Sequence, residues 1–213
     1  MMRAIAGLFI AFFACAGIAS AATMRAFDTY ILVYGQFVTG DDQTFADLLK
    51  SNPSITTVVL YDSPGGNGFV MQRMSAMIRA HKLSTGVAGN CTSACAMIFL
   101  SGVQRYFTDF IPVDQTSIGF HGSYKPDGTL AAERRLTMIA GMVENETGGK
   151  ADPALVQHWL HFQERRSLVR FSYPGADGKP DHPTVFECDG GQHYPTDYGS
   201  CTPINGHDAL SMG

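Results

Sequence analysis

The sequence predicts a single α/β domain, and three observations lead there. Strand-like β-branched runs alternate with helix-period segments between residues 30 and 165. The chain is 213 residues long, the size of one domain rather than of an ordinary two-domain enzyme. Hydrophobic residues make up 45% and charged residues 16%, so core material is plentiful and a disordered chain is excluded. Fifteen Lys and Arg against 19 Asp and Glu leave no basic excess for a phosphate backbone, which argues against a nucleic-acid partner.

Residues 1–21 read as a secretory signal. Arg3 supplies the positive end, residues 4–14 an uninterrupted apolar run, and Ala19-Ser20-Ala21 a small-x-small cleavage site. An uncleaved anchor and a lipoprotein signal through Cys15 are the rival readings. The run is short for a spanning helix, which needs ~20 apolar residues. Phe12 and Phe13 stand where a lipoprotein signal has smaller or aliphatic residues. No later run spans a bilayer, so the mature chain should have no stable membrane span and should be periplasmic or secreted. The five cysteines lose Cys15 with the signal, leaving Cys91, Cys95, Cys188 and Cys201. An even count in an exported chain predicts disulfides.

Along the mature chain, residues 31–34 read as a buried strand and 45–50 as a short helix. Residues 55–61 (ITTVVLY) are the strongest strand signal. They run into Asp62-Ser63-Pro64-Gly65-Gly66-Asn67-Gly68, a tight backbone path. Residues 69–82 repeat at helical period, with Val70, Met74, Met77, Ile78 and His81 on one face and the methionines as core filler. A strand over 84–88 and an apolar helix over 92–100 follow, then strands over 105–108 and 117–120 and a long amphipathic helix over 129–146. Asp152 and Pro153 predict an N-cap and first turn for a helix through about residue 164. Strands over 169–173 and 184–188 could pair around Pro174-Gly175-Ala176-Asp177-Gly178. The last 25 or so residues show little periodicity.

Three features carry chemistry. The Gly65-Gly66 turn can aim backbone N–H groups at an anion without side-chain interference. Ser93 opens an apolar helix, where free N–H groups and a positive partial charge gather. A serine there can attack a carbonyl while Ala94 N–H and a Gly-Gly N–H hold the oxyanion, each donor worth ~3–4 kcal/mol of barrier. His121, in Ile118-Gly119-Phe120-His121-Gly122 at a strand end, could be the base such a serine needs. Singly, Ser93 could equally be a helix cap and His121 a structural histidine. The hydrolase elbow Gly-x-Ser-x-Gly is absent.

The order and context of these features resemble the Clp-protease/crotonase superfamily, and within it the exported Clp-protease-like proteins of bacteria. The matching pieces are Tyr34-Gly35-Gln36 with Gly40-Asp41, and Val58-Val59-Leu60 leading into Ser63-Pro64-Gly65-Gly66. They continue with Cys91-Thr92-Ser93-Ala94-Cys95, Leu100-Ser101-Gly102 and Ile118-Gly119-Phe120-His121. The resemblance covers roughly residues 30–165. It implies a ClpP/crotonase-like spiral of ββα units, in rings or trimers in many members, hence a possible homo-oligomer here. It implies Ser93 as nucleophile, His121 as general base, Gly66 and Ala94 as oxyanion-hole amides and Gly65 as the residue shaping the turn. No cofactor and no metal are implied, and a peptide or protein is the implied substrate.

The family's acidic third member belongs near the helix that starts at Asp152. Asp152, His158 and Glu164 are the candidates, none a clean counterpart, and Asp152 is better explained as a cap. Residues 1–21 are thus expected to be the signal, 22–168 the ClpP/crotonase-like domain and 169–213 a small C-terminal extension. In that extension Cys188 and Cys201 would close a loop worth ~3 kcal/mol in the chain-entropy model. Cys91 and Cys95 would pair around Ser93. A Cys-x3-Cys with no His partner at finger spacing speaks against a metal site. Two further readings stand beside the serine hydrolase. One is a non-catalytic envelope module that keeps the fold for binding or assembly. The other is crotonase-like thioester chemistry using the oxyanion hole alone, which export away from coenzyme A disfavours.

Overall fold

The computed structural model describes residues 21–175, 178, 182–192 and 197–213. The expected signal up to residue 20 and residues 176 and 177 of the expected hairpin turn lie outside them. The described strands are β1 (Thr23–Ala26), β2 (Tyr30–Tyr34), β3 (Thr57–Ser63), β4 (Ser84–Thr92), β5 (Arg105–Phe107), β6 (Ser117–Phe120), β7 (Leu168–Ser172), β8 (Val185–Cys188) and β9 (Cys201–Pro203). The helices are α1 (Asp41–Ser51), α2 (Gly68–Ala80), α3 (Ala94–Leu100), α4 (Glu133–Glu146) and α5 (Pro153–Leu160).

The strands form one mixed sheet in the order β1-β2-β3-β4-β6-β7-β8-β9. Strands β2, β3 and β4 are parallel, as helical crossovers require. Strand β4 changes partner along its length. Thr85–Val87 pair with β5, while Asn90, Cys91 and Thr92 pair with β6. That switch brings the end of β4 and the end of β6 side by side. Strands β7, β8 and β9 continue the sheet antiparallel, so the segment after residue 168 is built onto the domain's own sheet.

Apolar periodicity explains the packing. Strand β3 buries Val58, Val59 and Leu60 on both faces, as its near-continuous apolar run demands. Helix α2 buries Val70, Met71, Met74 and Ile78, while His81 lies beyond its end, exposed. Helix α3 is apolar all round, and every one of its residues is buried. It sits against β3, β4 and β6 on one side and α2 and α4 on the other.

Several boundaries differ from the expectation. The strand predicted over 84–88 runs on to Thr92, because β3 and β6 offer it hydrogen-bond partners that outweigh the poor strand propensity of Gly89 and Asn90. The helix predicted from 92 therefore starts at Ala94. Leu130 bridges Tyr124, so α4 begins at Glu133 rather than at 129. Helix α5 ends at Leu160 rather than near 164. Among the described residues no helix is long and apolar enough to cross a membrane.

Cys91 and Cys95 form one disulfide and Cys188 and Cys201 the other, the two expected pairings. Two cysteines four apart are awkward to join on a regular helix, but Cys91 is still in β4 and Cys95 lies in α3. All four cysteines are bonded to one another and are not free metal ligands.

Candidate active site

Ser93 sits between β4 and α3 with φ 61° and ψ −122°, a conformation that a non-glycine residue rarely holds. Such a position costs about 1–3 kcal/mol and persists only where its surroundings over-determine it. Here they do. Ser93 N–H donates to Gly119 O at 2.9 Å, Met97 N–H donates to Ser93 O at 3.1 Å, and the Cys91–Cys95 disulfide spans the turn with its Cα atoms 5.2 Å apart. Ser93 occupies the N-cap position, yet its hydroxyl caps nothing. The helix-cap explanation therefore does not account for it.

The Gly65-Gly66 turn lies against this elbow. Gly65 has φ +88°, and a Cβ there would stand 2.5 Å from Thr92 O, 2.7 Å from Ala94 N and 2.9 Å from the Ser93 Cβ. Only glycine lets the two turns touch. Phe37 holds the turn from the other side: its N–H donates to Gly65 O at 2.8 Å, and Asn67 N–H donates to Phe37 O at 2.9 Å. Among the described residues Gly66 N–H and Ala94 N–H, the latter at the start of α3, donate to no backbone acceptor. Gly66, Ser93, Ala94 and His121 all line one cavity of about 190 Å3.

His121 follows β6 directly. Its Nδ1 is 2.6 Å from Gly122 O. A carbonyl oxygen can only accept, so Nδ1 carries the proton and Nε2 presents a lone pair in the neutral ring. Burial is the main influence on the ring and lowers its pKa from 6.5 to about 4, with the Gly122 bond opposing and Arg165 adding to the shift. The Tyr124 ring lies 5.6 Å from the imidazole, and its hydroxyl, pushed up to about 12 chiefly by burial, donates to Phe162 O and Glu164 O. Ser93 and His121 share the cavity without a direct hydrogen bond.

The three candidates for an acidic third member are all engaged elsewhere. Asp152 caps α5 through Ala154 N–H at 2.8 Å and pairs with His207 at 2.8 Å, the contact that most lowers its pKa. His158 pairs with Glu187 at 2.8 Å. Glu164 is exposed; its backbone carbonyl accepts from the Tyr124 hydroxyl, and its charge helps to raise the Tyr124 pKa, but it makes no hydrogen bond to His121. Among the described residues no carboxylate is bonded to His121. The orienting acceptor is its own neighbour's carbonyl, which no side-chain motif could signal.

The cavity also contains Gly68, Met71, Met97, Phe120, Ser123, Tyr124, Arg135, Ile139, Trp159 and Arg165, of which sequence reading singled out none as site residues. Arg135 and Arg165 come from separate elements with no motif between them. A larger cavity of about 930 Å3 lies across the stacked Phe120–Trp159 pair and touches neither Ser93 nor His121. Its wall is mostly aromatic and aliphatic, so the chemistry belongs to the smaller space.

The fold and the site together define a mixed α/β domain with the ClpP/crotonase-like fold. Among solved structures, the chain is similar to a point mutant of ClpP1 from Listeria monocytogenes, at TM-score 0.50 and 18% identity, over 62% of this chain and 78% of that one. It is also similar to ClpP1 itself from the same organism, at TM-score 0.48 and 16% identity over 63% and 79% of the two chains. A third is a serine-to-alanine mutant of the 1510-N membrane-bound stomatin-specific protease, at TM-score 0.47 and 14% identity over 62% and 68%. No protein-family model and no curated protein sequence matches the chain.

Proposed function

We propose that the chain is an exported serine hydrolase of the peptidase type. Ser93 attacks a peptide or ester carbonyl, His121 Nε2 takes its proton, and Gly66 and Ala94 N–H groups hold the oxyanion. The observation that carries this reading is the strained, non-capping Ser93 set against the Gly65-Gly66 turn. Two disulfides support an oxidising compartment, and the predicted signal supports export. The ClpP-like fold supports a homo-oligomer.

In the worked serine triad the carboxylate fixes the tautomer and stabilises the imidazolium. Gly122 O supplies the first service and, as a neutral dipole, only a small part of the second, so a slow enzyme is expected. Ser93→Ala should abolish labelling by a fluorophosphonate probe; equal labelling of both proteins would overturn the proposal. The missing carboxylate favours the second reading, a non-catalytic envelope module. Failure of the probe to label any folded, wild-type protein supports that module instead.

A further inference from the structure

Two arginines line the cavity around Ser93, and among the described residues no aspartate or glutamate does. Arg135 projects from α4 and Arg165 from the loop after α5. Neither forms an ion pair among the described residues. Arg135 is held in place: its Nε donates to Ser123 Oγ at 2.8 Å. Its Nη2 end lies over the first residue of α2, where a Cβ on Gly68 would collide with it. The two Nη nitrogens keep four N–H donors with no described acceptor. A planar fork with its stem fixed and its donors unspent is the chemistry that takes a carboxylate in bidentate fashion.

The volume agrees with a small group. At about 190 Å3 and open to solvent, the cavity has room for one amino-acid side chain. Arg165 also acts on this space, since its charge contributes to the low pKa of His121. It is exposed, so solvent screens it more than the half-buried Arg135.

We infer that Arg135, assisted by Arg165, makes this cavity selective for peptides carrying a carboxylate within one residue of the scissile carbonyl. The inference rests on the assignment of the cavity around Ser93 as the substrate site. The carboxylate can come from an Asp or Glu side chain or from a C-terminal residue. Arg135 acts here as a binding residue for the acidic group, and Ser93 and His121 act on the neighbouring carbonyl.

The test is binding of fluorescein-labelled hexapeptides to the Ser93→Ala protein, followed by anisotropy. Paired peptides carry Glu or Gln at each of two adjacent central positions, and a second pair differs only in a C-terminal acid or amide. The acidic member of one pair should bind at least tenfold tighter at low salt, and the pair that responds identifies the source of the carboxylate. Arg135→Gln should erase the preference, Arg135→Lys should keep part of it, and Arg165→Gln should weaken it severalfold. Circular dichroism checks that each variant folds; if Arg135→Gln does not, Ser123→Ala, which frees the guanidinium stem, should lower the preference on an intact fold. Equal binding within every pair, no binding of any peptide, or a preference surviving Arg135→Gln overturns the inference. Hydrolysis by the wild type separates the two claims. Cleavage of both members at equal kcat/KM sinks the selectivity and leaves the hydrolase. Selective binding with no cleavage sinks the hydrolase and leaves the carboxylate site.

Discussion

Replacing His121 by Gln should make stability less dependent on pH in a defined window. The ring has an ordinary pKa of 6.5 unfolded and about 4 in the folded chain, where burial disfavours its charged form. A folded pKa below the unfolded one means that the fold prefers the neutral ring. That preference contributes fully above the unfolded pKa, fades as pH falls from about 6.5 to about 4, and changes no further below. A difference of roughly 2.5 in pKa, at about 1.36 kcal/mol for each unit, gives about 3 kcal/mol. Carboxylates titrate in the same range, but they do so in both proteins and cancel in the difference. Urea unfolding of wild type and His121→Gln at matched pH should therefore show a difference that shrinks by about 3 kcal/mol between neutral pH and pH ~4. NMR of the imidazole carbons reads the pKa directly. A constant difference across the window, or an NMR pKa near 6.5, refutes the reasoning. The same shift keeps Nε2 a free base in mild acid, so fluorophosphonate labelling of Ser93 should stay level from about pH 8 down to about pH 5.

Other outcomes follow from single contacts. Gly65→Ala should eliminate probe labelling and destabilise the fold, because the new Cβ meets Thr92 O at 2.5 Å. Gly40→Ala, also at positive φ but with nothing within 4 Å, should cost only about 1–3 kcal/mol and keep labelling; similar behaviour of the two would refute the close-approach argument. On graded reduction and alkylation, the Cys188–Cys201 bond should open before Cys91–Cys95, because Cys91 and Cys95 are fully buried and Cys201 is partly exposed. In the chain-entropy model their removal costs about 3 and about 2 kcal/mol respectively, and mass spectrometry of the alkylated peptides gives the order. Asp41, almost fully buried, accepts from Ala22 N–H at 3.2 Å and Val38 N–H at 2.7 Å. If processing occurs after Ala21, that amide becomes an ammonium facing the carboxylate. Asp41→Asn should then cost a chain starting at Ala22 about 3 kcal/mol, and markedly less in a chain extended by Ser20 and Ala21; thermal unfolding that shows equal losses would discard the pairing.

Much of the site was legible because its parts are local. Ser63-Pro64-Gly65-Gly66 after a β-branched run is a backbone signal, and Ser93 and His121 lie at element ends that periodicity marks. Strand β1 was not legible, since Thr23-Met24-Arg25-Ala26 has no strand pattern and is a strand because β2 offers it an edge. Strand β9 is three residues long and exists through its pairing with β8 and the Cys188–Cys201 bond. The residues 89–92 read as loop and helix start, and became strand by pairing with β3 and β6.

The sequence by itself determined the α/β class, the two cysteine pairings and the residues that make a serine, a base and an anion turn available. Those depend on period, spacing and residue chemistry, which are properties of neighbours along the chain. Only the tertiary structure decided what each residue faces. It gave Asp152 to His207, 55 residues away, and left His121 oriented by a backbone carbonyl. It also set Arg135 and Arg165 into the wall of the Ser93 cavity, which among the described residues includes no carboxylate. Convergence of side chains from separate elements depends on how β4 changes partners and where α4 and α5 dock. No local pattern encodes that, because the energy deciding it is the burial of the whole core.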